Sequence, residues 1–94
     1  MFEIKYTVHA NQEIEIIRFY FEYILLNYKA SKNFYNGITE TIQILKDFPY
    51  AGKIYLDNQN RYLIYKNFYI FYQIQENNKV IFIKRIIHKN KVIL

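Results

Sequence analysis

The chain is predicted to fold as an α+β domain of order β-α-α-β-β-β, an antiparallel sheet with an N-terminal helical hairpin packed on one face. Three observations predict it. Residues 2–8, FEIKYTV, alternate apolar and polar strictly, the period of a half-buried strand. Across residues 14–48 apolar side chains recur at spacings of three and four, the period of a helix. From Arg61 the period returns to two, interrupted only by short Asn-containing turns.

The first strand is followed by Asn11, a plausible helix cap, with Glu13 and Glu15 placed in a first turn where the helix dipole favours anions. Ile14, Ile17, Phe21, Ile24 and Tyr28 then mark one helical face, and Arg18 and Glu22 stand four apart on the wet side. Lys29-Ala30-Ser31 reads as a break, with Ser31 capping a second helix. Its stripe is Phe34, Ile38, Thr41/Ile42, Leu45 and Phe48. Gly37 weakens this helix by up to about 1 kcal/mol relative to Ala. Pro49 ends it and pushes Phe48 toward extended geometry. Two helices with a short turn between them form an antiparallel hairpin.

Pro49, Gly52, Asp57, Asn58 and Asn60 give residues 49–60 loop chemistry, with room for a short strand at 53–56. Residues 61–65, 68–75 and 80–87 read as three strands. Lys66-Asn67 and residues 76–79 are the turns, with Asn supplying positive φ. The first strand is expected to pair within this C-terminal meander. No repeat or boundary divides the chain, so residues 1–94 read as one domain.

Hydrophobic residues make up 52% of the sequence, enough for a core, and charged residues 22%, which excludes a disordered class. Cysteine is absent, which excludes disulfides and thiolate chemistry and fits a reducing cytoplasm. No apolar run reaches the roughly 18 residues of a membrane span, and Glu3 and Lys5 interrupt any secretion signal at the start. The net charge of +5 is unevenly placed. Residues 61–94 hold seven Lys/Arg against Glu76 alone, a net +6, whereas residues 1–60 carry −1. Such a block suits an acidic or phosphate-rich partner, or serves as a solvated basic surface.

The stretch RYLIYKNFYIFYQI, residues 61–74, places six aromatic rings in fourteen residues. Phe68, Ile70, Tyr72 and Ile74 fall on one side of the strand, Tyr69 and Phe71 on the other. Two helices cover one sheet face only, so the second carries apolar surface of the kind that marks a binding site. No Gly-rich phosphate loop is present, since Gly37 and Gly52 are isolated. His9 and His88 lie on different elements without metal-ligand spacing, so neither metal nor cofactor is expected. Ser31 is the one serine, and a cap explains it better than a nucleophile. Arg85, His88, Lys89 and Lys91 cluster at the C-terminal strand, but Arg85 and Ile87 should point opposite to Lys84, Ile86 and His88. Cations beside exposed rings suit single-stranded nucleic acid, and a histidine beside them is a candidate general acid or base. Equally, His88 can end the strand and hydrogen-bond locally.

The whole chain resembles the RelE/ParE toxin superfamily of type II toxin–antitoxin systems, closer to its ParE-like members. Three segments carry the resemblance. Residues 42–52 run as Ile42-Gln-Ile-Leu-Lys-Asp-Phe48-Pro49-Tyr-Ala-Gly52. Arg61-Tyr-Leu…Asn67-Phe-Tyr-Ile-Phe71-Tyr72-Gln-Ile is similar to the family's R-x-L…N-Y-x-I-F-Y-x-I. Ile83-Lys-Arg85-Ile-Ile-His88 is similar to I-x-R-I-x-H. The resemblance implies a growth-arresting toxin in a hetero-oligomer with a cognate antitoxin. It also implies DNA gyrase as target and Tyr69, Phe71, Arg61, Lys84, Arg85, His88, Lys89 and Lys91 as the residues that meet target or antitoxin. The alternative it implies is a ribosome-dependent mRNA endonuclease, with Arg61 and Arg85 on phosphate, His88 as acid or base and Tyr69 stacking on a base. In many RelE-like nucleases an arginine occupies the position of Tyr69, and tyrosine supplies no fixed positive charge.

Overall fold

A computed structural model describes residues 1–91. The elements run β1 (Glu3–Tyr6), α1 (Val8–Phe19), a π-helical turn (Tyr20–Ile24), α2 (Tyr28–Gln43), a 3₁₀ turn (Ile44–Lys46), β2 (Lys53–Ile54), β3 (Asn60–Tyr65), β4 (Phe68–Gln75), β5 (Val80–His88) and a last 3₁₀ turn (Lys89–Lys91). The five strands form one sheet in the order β1-β5-β4-β3-β2. The meander β2 to β5 is antiparallel. β1 joins it at β5, as part of the expected meander pairing, and runs parallel.

The helix boundaries correct the sequence expectation. Asn11 does not cap α1. Thr7 does, because β1 ends at Tyr6 and the chain turns at once: its hydroxyl accepts from Ala10 N at 3.1 Å and donates to Ile83 O at 3.0 Å. Starting α1 four residues earlier removes Glu13 from the first turn. Ser31 does not cap α2 either. Asn27 takes that place through its Oδ1, 3.0 Å from Ala30 N. Ser31 is buried inside the helix and donates to Glu22 at 2.6 Å. The hairpin's break is therefore residues 25–27, where Leu26 sits at φ 50°.

The inner stripe of α1 also ends sooner than its spacing suggests. Ala10 and Ile14 are buried, and Ile17 and Phe21 pack against the core. Ile24 and Tyr28 are exposed. The π turn winds more residues per turn than an α-helix, so the phase of the stripe is lost there. Phe34, Ile38 and Ile42 of α2 and Leu45 of the 3₁₀ turn are buried as predicted, but Phe48 lies past that turn and is exposed. Gly37 has a packing reason: a Cβ there would stand 1.9 Å from the Tyr65 hydroxyl, so the glycine lets that ring lie on the helix.

β4 is the centre of the sheet, and its burial alternates without exception. Phe68, Ile70, Tyr72 and Ile74 meet the helices, with Ile81, Ile83 and Ile86 of β5 beside them. Ile83 and Ile86 both face inward although they are three apart. A bulge permits this: Tyr72 pairs with Ile83 and Phe71 with Arg85, leaving Lys84 unpaired and exposed. The positive φ of the two hairpin turns falls on Lys66 and Lys79 rather than on asparagine.

Candidate functional site

The sheet face turned away from the helices is built from alternate residues of β3, β4 and β5. Register aligns Lys53, Tyr62, Phe71 and Arg85 in one row across four strands. The next row is Ile64, Tyr69 and Ile87. The rings interlock. Tyr62 lies 5.5 Å from Tyr69 and 5.7 Å from Phe71, and Tyr55, from beyond β2, stands edge-on to Phe71 at 4.9 Å. Tyr69, Phe71 and Tyr62 are consequently half-buried against one another rather than fully exposed. Exposed cations rim this plate. Lys89 Nζ stands 5.9 Å from the Tyr69 ring, Lys84 protrudes at the bulge and Lys53 sits on the edge strand. Such a plate suits a segment with apolar side chains and negative charge.

The other predicted site residues do not converge on it. Arg61 stands opposite Tyr72, on the helix side of β3. Its guanidinium donates to the carbonyls of Tyr50 (3.1 Å), Gly52 (2.9 Å) and Asn58 (2.8 Å) and lies over the Tyr50 ring at 5.0 Å. Tyr72 completes the same anchor. Its hydroxyl donates to Pro49 O at 2.8 Å and accepts from Gly52 N at 2.9 Å. Burial pushes this hydroxyl above the usual phenol value. A Cβ on Gly52 would lie 2.6 Å from both the Tyr72 hydroxyl and Tyr62 O, which is why the loop carries glycine there. Arg61 is thus spent on holding residues 49–58 to the sheet.

Arg85 has the row position beside Phe71, but its guanidinium turns to α1. Nε and Nη2 donate to one oxygen of Glu13 at 3.0 and 2.8 Å, and the other oxygen of Glu13 accepts from Ile86 N at 2.8 Å. β1 pairs only as far as Ile83, so Glu13 supplies the acceptor that a longer strand would have given Ile86. The hydrogen bond to Glu13 raises the guanidinium above its ordinary value. His88 ends β5 on the helix side, edge-on to Phe68 at 5.2 Å, and its Nδ1 accepts from Asn90 N at 3.1 Å. This is a local hydrogen bond of the kind the strand end allows. Lys91 closes the last turn, and its side chain lies outside the described residues.

A second apolar surface was not read from the sequence. The outer side of α1 and its π turn exposes Ile16, Phe19, Tyr20, Tyr23 and Ile24. The signal was present: these residues repeat at three and four, as the inner stripe does, and a helix with two apolar stripes has one left over.

Among the described residues no group of His, Asp and Glu is arranged to hold a metal ion, and no helix is long and apolar enough to cross a membrane. A sequence model of the family described as the ParE toxin of the type II toxin–antitoxin system, parDE, matches residues 4–93. No curated protein matches. Among solved structures, a chain of a chromosomal ParDE toxin–antitoxin system from P. aeruginosa superposes with a TM-score of 0.80 at 21% identity, covering 94% of this chain and 96% of that one. With the family model spanning nearly every residue and the α+β architecture shared, the chain belongs to the ParE toxin family of type II toxin–antitoxin systems.

Proposed function

We propose that this ParE-family protein arrests growth in the cytoplasm by binding and inhibiting DNA gyrase, and that a cognate antitoxin neutralises it by covering the aromatic plate of the sheet. The family match over residues 4–93 carries this reading. The side-chain geometry supports it. Arg61, Arg85 and His88, which a phosphodiester cleavage would need converging on one phosphate, each serve a separate internal contact. What is left outward is the ring cluster and its rim of Lys53, Lys84 and Lys89, a surface for binding. An acidic antitoxin segment meets both halves of it: apolar side chains on the rings, carboxylates at the lysines.

The test sets two assays side by side. In a supercoiling assay the purified chain is expected to stop gyrase, and added antitoxin to restore it. In a translation reaction followed by primer extension, the mRNA is expected to remain intact. Cleavage between codons with gyrase unaffected overturns the proposal.

A further inference from the structure

We propose that the outer face of the sheet binds single-stranded nucleic acid without cleaving it, the strand running along β4. The inference goes beyond the gyrase reading and does not depend on it. It starts from the line of side chains that β4 turns away from the helices: Tyr69, Phe71, Gln73 and Gln75. Alternate residues of a strand stand about 6.8 Å apart. The line therefore offers two rings and then two amides at a spacing that successive splayed-out bases can follow. Every base has a flat face that stacks on a ring. An amide carries a donor and an acceptor together, the pairing that a base edge calls for. The amides continue past Gln75 into a cleft of about 380 Å³ lined by Gln59, Gln75, Glu76, Asn77 and Asn78. That is the size of a site for one small ligand.

Charge favours the same occupant. Lysines flank the line on both sides. Lys5 ends the row of Phe82 and Gln73. Lys53 ends the row of Phe71 on the opposite edge, Lys84 protrudes at the bulge, and Lys89 stands 5.9 Å from the Tyr69 ring. Carboxylates keep to the far end or are occupied. Glu3 shares the row of Gln75, Glu76 is bonded to Lys79 at 3.1 Å and to the Tyr50 hydroxyl, and Glu13 holds Arg85. The rings and lysines are shared with the antitoxin surface proposed above, but the amides are not. An acidic peptide leaves them idle, whereas a nucleic acid strand uses rings, amides and lysines together. Arg61, Arg85 and His88 are held in separate internal contacts and do not converge on the bound phosphodiester, so binding is not followed by cleavage.

Fluorescence anisotropy of a labelled mixed-sequence oligonucleotide of about twelve nucleotides, titrated with the purified chain, tests this. Neither gyrase nor antitoxin enters the assay, so its failure leaves the reading above untouched. RNA and DNA of one sequence should bind within about three-fold of each other, since the face meets bases and phosphates rather than sugars. An abasic strand of the same length, and a polyglutamate of the same length, should bind at least about ten-fold more weakly. Four lysines on phosphates give log K a slope of about −2.8 against log salt. Lys84→Ala with Lys89→Ala, both exposed, should bring the slope to about −1.4. Tyr69→Ala with Phe71→Ala should weaken binding at least about ten-fold. Gln73→Ala with Gln75→Ala should weaken the mixed strand and leave the abasic one unchanged. If the ring pair fails to fold, the lysine pair and the abasic strand still decide. No binding at about 50 mM salt, an abasic strand that binds as tightly as the mixed one, or a slope indifferent to the lysine pair overturns the inference. Polyglutamate that binds as tightly also overturns it, and makes an acidic protein the occupant.

Discussion

Glu13 gives the sharpest test of how this fold is held. Its carboxylate binds Arg85 twice and the Ile86 amide once, and it is largely shielded, with 15% of its side chain exposed. Replacing it with Ala removes three charge-assisted hydrogen bonds and leaves the Ile86 N–H on a strand edge that β1 does not reach. Each such bond contributes about 1.5–3 kcal/mol where both partners are dry. The Arg85 side chain is 43% exposed, so water recovers much of what the guanidinium loses, and those two bonds together contribute up to about 1 kcal/mol. The amide bond remains, and the expected cost of Glu13→Ala is about 2 kcal/mol. For a domain of this size that lowers Tm by about 8–16 °C. Urea unfolding of Glu13→Ala, Arg85→Ala and the double variant checks the mechanism. The two should couple, the double costing less than the sum of the singles by about 1 kcal/mol. Glu13→Ala at wild-type stability, or strict additivity, refutes the clamp and frees Arg85 for a role at the surface.

Three further outcomes follow from the geometry. Tyr69→Ala with Phe71→Ala opens the aromatic plate; it should weaken antitoxin binding at least a hundred-fold by calorimetry while costing less stability than the roughly 3–5 kcal/mol of one core Phe→Ala, and the reverse ranking would make the rings core. Lys66 holds φ 51° in the β3–β4 turn, where a side chain costs about 1 kcal/mol, so Lys66→Gly should raise Tm by a few degrees; a lower Tm contradicts it. The loop at residues 49–60 should be tightest at intermediate pH. Asn60's side chain and backbone hold Asp57 below the ordinary 3.8, and the Tyr50 hydroxyl followed by Lys79 holds Glu76 below 4.5. Lowered carboxyls favour the folded loop above those values and lose that contribution as pH falls through their folded values. The bond to Glu76 raises Tyr50 above 10.0, so its contribution is present below that value and is lost as pH rises through the folded one. Amide exchange in the loop, corrected for intrinsic chemistry, should therefore rise at both extremes, and a flat profile from pH 3 to 7 contradicts the carboxylate half.

Periodicity made most of the fold legible, because burial alternates with a fixed period wherever one face of an element is dry. β4 is the clearest case, predicted to the residue. Caps were less legible. Thr7, Asn11, Asn27 and Ser31 are all competent side chains, and what chooses among them is where the chain must turn to pack, a tertiary fact. The same holds at the site. Its rings were visible because alternation assigns Tyr69 and Phe71 a face. The cations were not separable by sequence, since Arg61 and Lys89 carry the same charge on a string of letters. The structure distinguishes them by their acceptors. Arg61 has three loop carbonyls within reach and Arg85 has Glu13, so the planar, many-donor guanidinium is used where backbone and carboxylate oxygens converge. The exposed lysines that rim the plate have flexible stems and a single ammonium each. In this chain the arginines shape the surface and the lysines charge it. Arg61→Lys should accordingly loosen the loop although the net charge is kept, whereas Lys89→Arg should leave partner binding nearly unchanged.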